Sequence, residues 1–236
     1  MLLYIIRHGA PDYKKDCLLP RGKLQAEALS LRLCLQGFDK IYSSPMGRAR
    51  ETARPTSDIL GKPMEILEWT SEDLAWQQMS IEDPVFGRRW CWGHTDPSGF
   101  INDDTLYNNR DWFDLPCFSG TDVRGCWKRV SEASDDFLEG LGYKHDGASY
   151  RILRPSEERV AVFCHEGFGT VWLSWLLNIP LHLFCMSFGI ALSSITILDF
   201  KNFDNRWTSP RCLTLSDTSH LYGSRLPVEH NNGVKL

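Results

Sequence analysis

Two histidines and two arginines stand where apolar runs of the chain give out, and together they suit phosphoryl-transfer chemistry. Arg7 and His8 follow the run Leu2–Ile6, with Gly9 where the backbone must turn. Arg48 follows a short run at Ile41-Tyr42-Ser43, and His165 comes directly after Arg159–Cys164. A guanidinium fork matches an oxyanion at two points at once. An imidazole that is neutral at working pH can attack phosphorus and carry the group. Positioning and charge stabilisation supply most of what such a transfer asks of a protein.

The elements that would hold these groups can be read from the same stretches. Five consecutive apolar residues at Leu2–Ile6 suit a strand buried on both faces, as in a parallel sheet. Ligands of open α/β sheets bind beyond the carboxyl ends of the strands, where Arg7 and His8 fall. A helix is expected through Gly22–Leu29, with Leu24, Ala28, Leu31 and Leu35 as its inward stripe. Asp39–Ser43 and Met64–Leu67 read as further strands, and Pro55 as a possible kink in the helix between them. Asp122–Leu141 reads as a helix, Arg159–Cys164 as a buried strand, and Thr170–Leu177 as a helix that Pro180 ends. A short helix near Leu181–Met186, a strand at Ser194–Leu198 and one more strand within Trp207–Leu221 complete the pattern. The tail Val228–Leu236 is expected to be loose.

Between Asp73 and Gly120 the periodicity disappears, and Trp76, Trp90, Trp92 and Trp112 appear among turn residues. A structureless stretch of that length is unusual inside a compact domain, so residues 73–120 are expected to form a cap over the pocket of a single domain spanning 1–236. The cap carries eight carboxylates (Asp73, Glu82, Asp83, Asp96, Asp103, Asp104, Asp111, Asp114) against Arg88, Arg89 and Arg110. Facing inward, they would disfavour heavily phosphorylated ligands.

The totals narrow the classes. A net charge of −4 and a pI near 6.0 give no basic footprint for nucleic acid or an acidic membrane surface. No stretch approaches the length of a membrane span, and the N-terminus lacks the pattern of a secretory leader. Eight cysteines form no C-x-x-C pair and read as reduced thiols, which suits the cytoplasm. Neither a metal cluster nor a cofactor motif is visible, and the oligomeric state leaves no mark.

Four motifs come in order: Arg7-His8-Gly9, then Leu19-x-x-Gly22-x-x-Gln25-Ala26. Tyr42-Ser43-Ser44-Pro45-x-x-Arg48-Ala49-x-x-Thr52-Ala53 follows, and Val162-x-x-His165-x-Gly167 is last. In this the chain resembles the histidine phosphatase superfamily, the phosphoglycerate-mutase-like group, from Leu2 to about Phe200 except across the cap. The resemblance implies an α/β three-layer sandwich with a mostly parallel central sheet flanked by helices, and an inserted cap. It implies His8 as the nucleophile that becomes phosphohistidine, with Arg7, Arg48 and His165 on the phosphoryl oxygens. An acid after the third strand should protonate the leaving oxygen. Glu72 is the first choice, Glu68 the second and Asp73 the third.

The chain departs from the group in one place. Its mutases usually continue past Arg-His-Gly with a hydroxyl residue and Trp-Asn, where this chain has Ala10-Pro11-Asp12-Tyr13. The expected function is therefore metal-independent hydrolysis of a small phosphomonoester. The alternatives are a phosphoglycerate-type mutase, or a catalytically silent protein that binds a phosphorylated ligand.

Overall fold

The computed structural model describes residues 1–93, 112–202 and 206–230. Six strands form the central sheet: β1 (Leu2–Arg7), β2 (Lys40–Ser43), β3 (Met64–Ile66), β4 (Arg159–Cys164), β5 (Ile195–Asp199) and β6 (Arg211–Asp217). Their order across the sheet is β6-β5-β1-β4-β2-β3. β1, β4, β2 and β3 run parallel, and β5 is antiparallel to both of its neighbours.

Alternation along β1 makes the sandwich. Leu3 and Ile5 join one core cluster with Val160, Val162, Phe168, Trp172 and Leu138. Tyr4 and Ile6 join the other with Leu29, Leu33, Phe38 and Phe163. Successive side chains of a strand point to opposite faces, so one apolar run needs helices on both sides. Those helices are α1 (Pro20–Cys34) and α2 (Gly47–Leu60) on one face, and α4 (Val123–Gly140) and α5 (Glu166–Leu176) on the other. Between them in the chain comes α3 (Glu72–Met79), and α6 (Leu181–Ser187) and α7 (Ser219–Gly223) follow. α2 runs through Pro55 and closes on Gly61 in the left-handed region.

Four sequence expectations are corrected. α1 turns a different face inward: Gly22, Gln25, Ala26, Ala28, Leu29, Ser30 and Leu33 are buried. Leu24, Leu31 and Leu35 are 51%, 67% and 85% exposed. The loop after β1 sets this rotation. A Cβ on Gly22 would lie 2.2 Å from the Ala10 carbonyl oxygen, and Gln25 Oε1 accepts the Ala10 N–H at 2.7 Å. Gly22→Ala should therefore destabilise the protein by about 1–3 kcal/mol, as overpacking does. A urea titration checks this, and an unchanged midpoint would contradict the close approach.

α5 starts at Glu166 rather than Thr170, because Glu72 satisfies its first N–H groups. The C-terminal stretch is two strands and a helix, not one strand. Trp207–Thr208 extends a hairpin, Tyr143–Asp146 with Ser149–Ile152, and β6 edges the main sheet. The tail is pinned as far as it is described. Leu192 N–H donates to the Glu229 carbonyl at 3.0 Å, and the Glu229 carboxylate meets Arg21 at 3.1 Å. Residues 231–236 lie outside the described residues.

The stretch 73–120 has more order than its texture suggests. α3 leads into a hairpin, Ser80–Asp83 with Gly87–Trp90, and short 3-10 turns follow at Trp112–Asp114 and Pro116–Phe118. Asp96, Asp103, Asp104, Arg110 and Asp111 lie outside the described residues. All eight cysteines are free thiols. Among the described residues no helix is long and apolar enough to cross a membrane.

Candidate active site

Strand register brings the two histidines together. Arg7 is opposite Cys164 in the β1–β4 pair, so the next residues, His8 and His165, lie side by side beyond the strand ends. Their ring centroids are 5.1 Å apart. Ser43 is opposite Phe163 in the β4–β2 pair, which carries Ser44 to the same edge. There Ser44 Oγ is 2.8 Å from His165 Nε2.

His8 is 2% exposed, and its ring is oriented from below. Nδ1 lies 2.7 Å from the carbonyl oxygen of Gly9, which assigns the proton to Nδ1 and leaves Nε2 unprotonated. Arg48 Nε donates toward that Nε2 at 3.4 Å. The backbone around His8 is fastened on several sides. Its N–H donates to Cys164 O at 3.0 Å, its carbonyl accepts from Ser193 at 3.0 Å, and Gly9 N–H donates to Thr52 Oγ1 at 3.1 Å. Burial holds the His8 imidazole well below the usual range, and the Arg7 and Arg48 charges push it the same way. His165 is lowered likewise, first by burial and then by His8 and the two arginines. Both rings are thus neutral.

The two guanidiniums form the floor beside His8. Arg7 Nη1 donates to the Ile190 carbonyl, Nη2 pairs with Glu166 at 2.9 Å, and buried Nε finds no acceptor among the described residues. Arg48 Nη1 pairs with Asp16 at 2.6 Å, and Tyr13 covers its guanidinium at 5.3 Å. Asp16 also accepts the Gly47 N–H at 2.6 Å, at the start of α2.

Glu72 faces this floor from the first turn of α3. Its carboxylate oxygens accept the N–H groups of Gly167 and Phe168, at 3.0 and 2.8 Å, where α5 begins. Lost hydration raises the Glu72 carboxyl above its ordinary value. The two N–H donors and then Arg48 and Arg7 oppose that shift without cancelling it. Glu68 is exposed in the preceding 3-10 turn and does not border the cavity, whereas Asp73 does.

These groups open into a cavity of about 580 Å³. Arg7, His8, Arg48, Glu72, Asp16 and Glu166 lie at its base. Trp76, Arg88, Arg89 and Trp90 reach it from the 73–120 stretch. Trp90 lies against Gly167, where a Cβ would come within 2.3 Å of its ring, and Trp92 stacks on Trp90 at 4.7 Å. Trp112 instead packs against Trp127 and Phe118 in the body.

Four of the five expected site residues therefore border one cavity: Arg7, His8, Arg48 and Glu72. His165 does not. It sits beside His8 with Nε2 on Ser44, and its buried Nδ1 meets no partner among the described residues. The sequence left open which way the carboxylates of residues 73–120 face, and one of the four described reaches the cavity. Of Asp73, Glu82, Asp83 and Asp114, only Asp73 borders the cavity, and Asp83 is paired with Arg89 at 2.6 Å. Arg88 and Arg89, from the same stretch, border the cavity as well. Sequence reasoning missed Asp16 and Glu166, and the only signal was that Glu166 follows His165 directly.

Residues 3–83, about a third of the chain, match the model described as histidine phosphatase superfamily (branch 1), and the fold is that of phosphoglycerate-mutase-like proteins. A Hydrogenobacter thermophilus protein bearing a phosphoserine phosphatase name is 35% identical over 75 residues, 28% of this chain and 37% of that protein. The 2-carboxy-D-arabinitol-1-phosphatase of Triticum aestivum is 23% identical over 192 residues, 74% of this chain and 34% of that one. The chain thus spans about a third of the length of these curated relatives. Among solved structures, the phosphoserine phosphatase of Entamoeba histolytica with 3-phosphoglyceric acid is similar in fold. Its TM-score is 0.61 at 20% identity, over 93% of this chain and 98% of that one.

Proposed function

We propose that this chain is a phosphatase that hydrolyses a small phosphomonoester through a phosphohistidine on His8, with no metal. One observation carries the reading. A buried, neutral imidazole has its Nδ1–H fixed on a carbonyl and its Nε2 turned to Arg48, in a cavity that Glu72 faces. That is a nucleophile held in its reactive tautomer beside a charge clamp and an acid.

The steps follow from the geometry. His8 Nε2 forms a bond to phosphorus as the ester P–O bond breaks, while Arg7 and Arg48 hold the phosphoryl oxygens. The orphaned Nε of Arg7 gains an acceptor. Glu72 gives its proton to the leaving oxygen and departs from the step as carboxylate. Water then attacks the phosphohistidine, Glu72 takes a water proton, the P–N bond breaks, and inorganic phosphate and free His8 remain. His165, held by Ser44, acts in this scheme from beside His8. Residues 73–120 act as the cap, and Trp76 and Trp90 offer the leaving group a flat apolar surface. The cavity falls within the range of about 300–1,000 Å³ common for small-molecule sites. Relatives bearing phosphatase names support the reading, as does the phosphorylated ligand named for the Entamoeba protein.

The pH dependence follows from the two shifts. His8 is lowered, so the nucleophile is lost only when pH falls below the ordinary imidazole range. Glu72 is raised, so the acid survives to higher pH than an ordinary glutamate and is lost as pH rises through that value. With poor leaving groups kcat should decline on the alkaline side as Glu72 ionises. With an aryl phosphate that limb should vanish, and its persistence would contradict the role of Glu72.

Arg88 and Arg89 at the cavity favour a second reading, transfer to an anionic acceptor as in a mutase. The missing hydroxyl and Trp-Asn after Gly9 favour water. Incubation with 3-phosphoglycerate and a trace of 2,3-bisphosphoglycerate, with EDTA present, decides between them. A panel of phosphomonoesters assayed alongside tests hydrolysis itself. Free phosphate from the panel, with little 2-phosphoglycerate formed, is the expected result. Rapid 2-phosphoglycerate formation without phosphate would make the chain a mutase.

A further inference from the structure

Both guanidiniums of the cavity floor already hold a carboxylate, and the two pairs are built differently. Asp16 bonds the Gly47 N–H as well as Arg48, so it belongs to the start of α2. Glu166 Oε2 meets Arg7 Nη2 at 2.9 Å, with side-chain exposures of 27% and 1%. Arg7 is also held from behind by the Ile190 carbonyl. Glu166 thus lies on the cavity side of a cation that is anchored elsewhere.

A phosphate dianion entering this floor meets Arg7 and Arg48 offset by Glu166 and Asp16, with both histidines uncharged. Two anions then compete for one guanidinium. We infer that Glu166 is a specificity-determining residue that competes with the phosphoryl group for Arg7, weakening the grip on inorganic phosphate and leaving affinity to the leaving-group contacts. The inference rests on the reading of the floor as a phosphate site. Its consequence is a site that releases phosphate readily, which matters where product release limits turnover. It also makes substrates depend on Trp76, Trp90, Arg88 and Arg89, which line the same cavity.

Calorimetric titration of inorganic phosphate into the wild type, Glu166→Gln and Glu166→Ala needs no turnover. Both variants should bind phosphate more tightly, by about two- to five-fold, the range of a partly exposed ion pair. Product inhibition by phosphate should strengthen in step. Equal or weaker binding in both variants would overturn the inference and make Glu166 a prop for Arg7. The outcomes separate from the phosphatase reading. Tighter phosphate binding without hydrolysis of any phosphomonoester would sink that reading alone, and hydrolysis with unchanged phosphate affinity would sink this inference alone.

Discussion

His8→Ala is expected to lower turnover of every phosphomonoester by about 10³-fold or more, since the residue proposed to take the phosphoryl group is gone. The loss should be in chemistry, not in folding or binding. Arg7 and Arg48 are anchored by Ile190 and Asp16, so the floor persists without the imidazole. Phosphate should still bind the variant within a few-fold of the wild type. A variant that kept more than about a tenth of the activity would exclude His8 as nucleophile, since covalent catalysis cannot survive so small a loss.

Glu72→Gln should slow substrates with poor leaving groups by about 10²-fold, the usual worth of a general acid. An activated aryl phosphate should lose much less. The contrast matters because Glu72 also has a structural task. Both of its oxygens accept N–H groups of α5, and a glutamine offers only one oxygen, so some stability is lost whatever the chemistry. That structural loss falls on both substrates alike and cancels in their ratio. Equal losses would leave Glu72 a helix cap and nothing more. Glu68→Gln, exposed and away from the cavity, should change neither.

The floor was legible because one rule governs it. Strands β1 and β4 are apolar along their length since helices cover both faces, and ligand groups fall just past their ends. His8 and His165 could therefore be placed before their register was known. The same reasoning failed on α1, where Leu24, Leu31 and Leu35 form the larger apolar stripe yet face outward. Gly22 and Gln25, two small signals, fix the rotation through the loop at Ala10. The hairpin at 80–90 was hidden because its strands are half-exposed and carry charges, so no alternation shows. The direction of the charges in residues 73–120 was not legible for a related reason. Composition counts carboxylates but cannot show that Asp83 is spent on Arg89 while Arg88 and Arg89 border the cavity. Glu166 and Asp16 escaped notice because ion pairs between distant residues leave no periodicity.

The central claim is that a phosphoryl group rests on His8 between two in-line displacements. Rapid quenching of the wild type with a hydrolysed phosphomonoester, under alkaline conditions that preserve phosphohistidine, followed by peptide mass spectrometry, tests it directly. The account predicts close to one phosphoryl group per chain on the peptide that contains His8, labile in acid, and none in His8→Ala. Sustained phosphate release with no label on His8, or with the label on another residue, would contradict it.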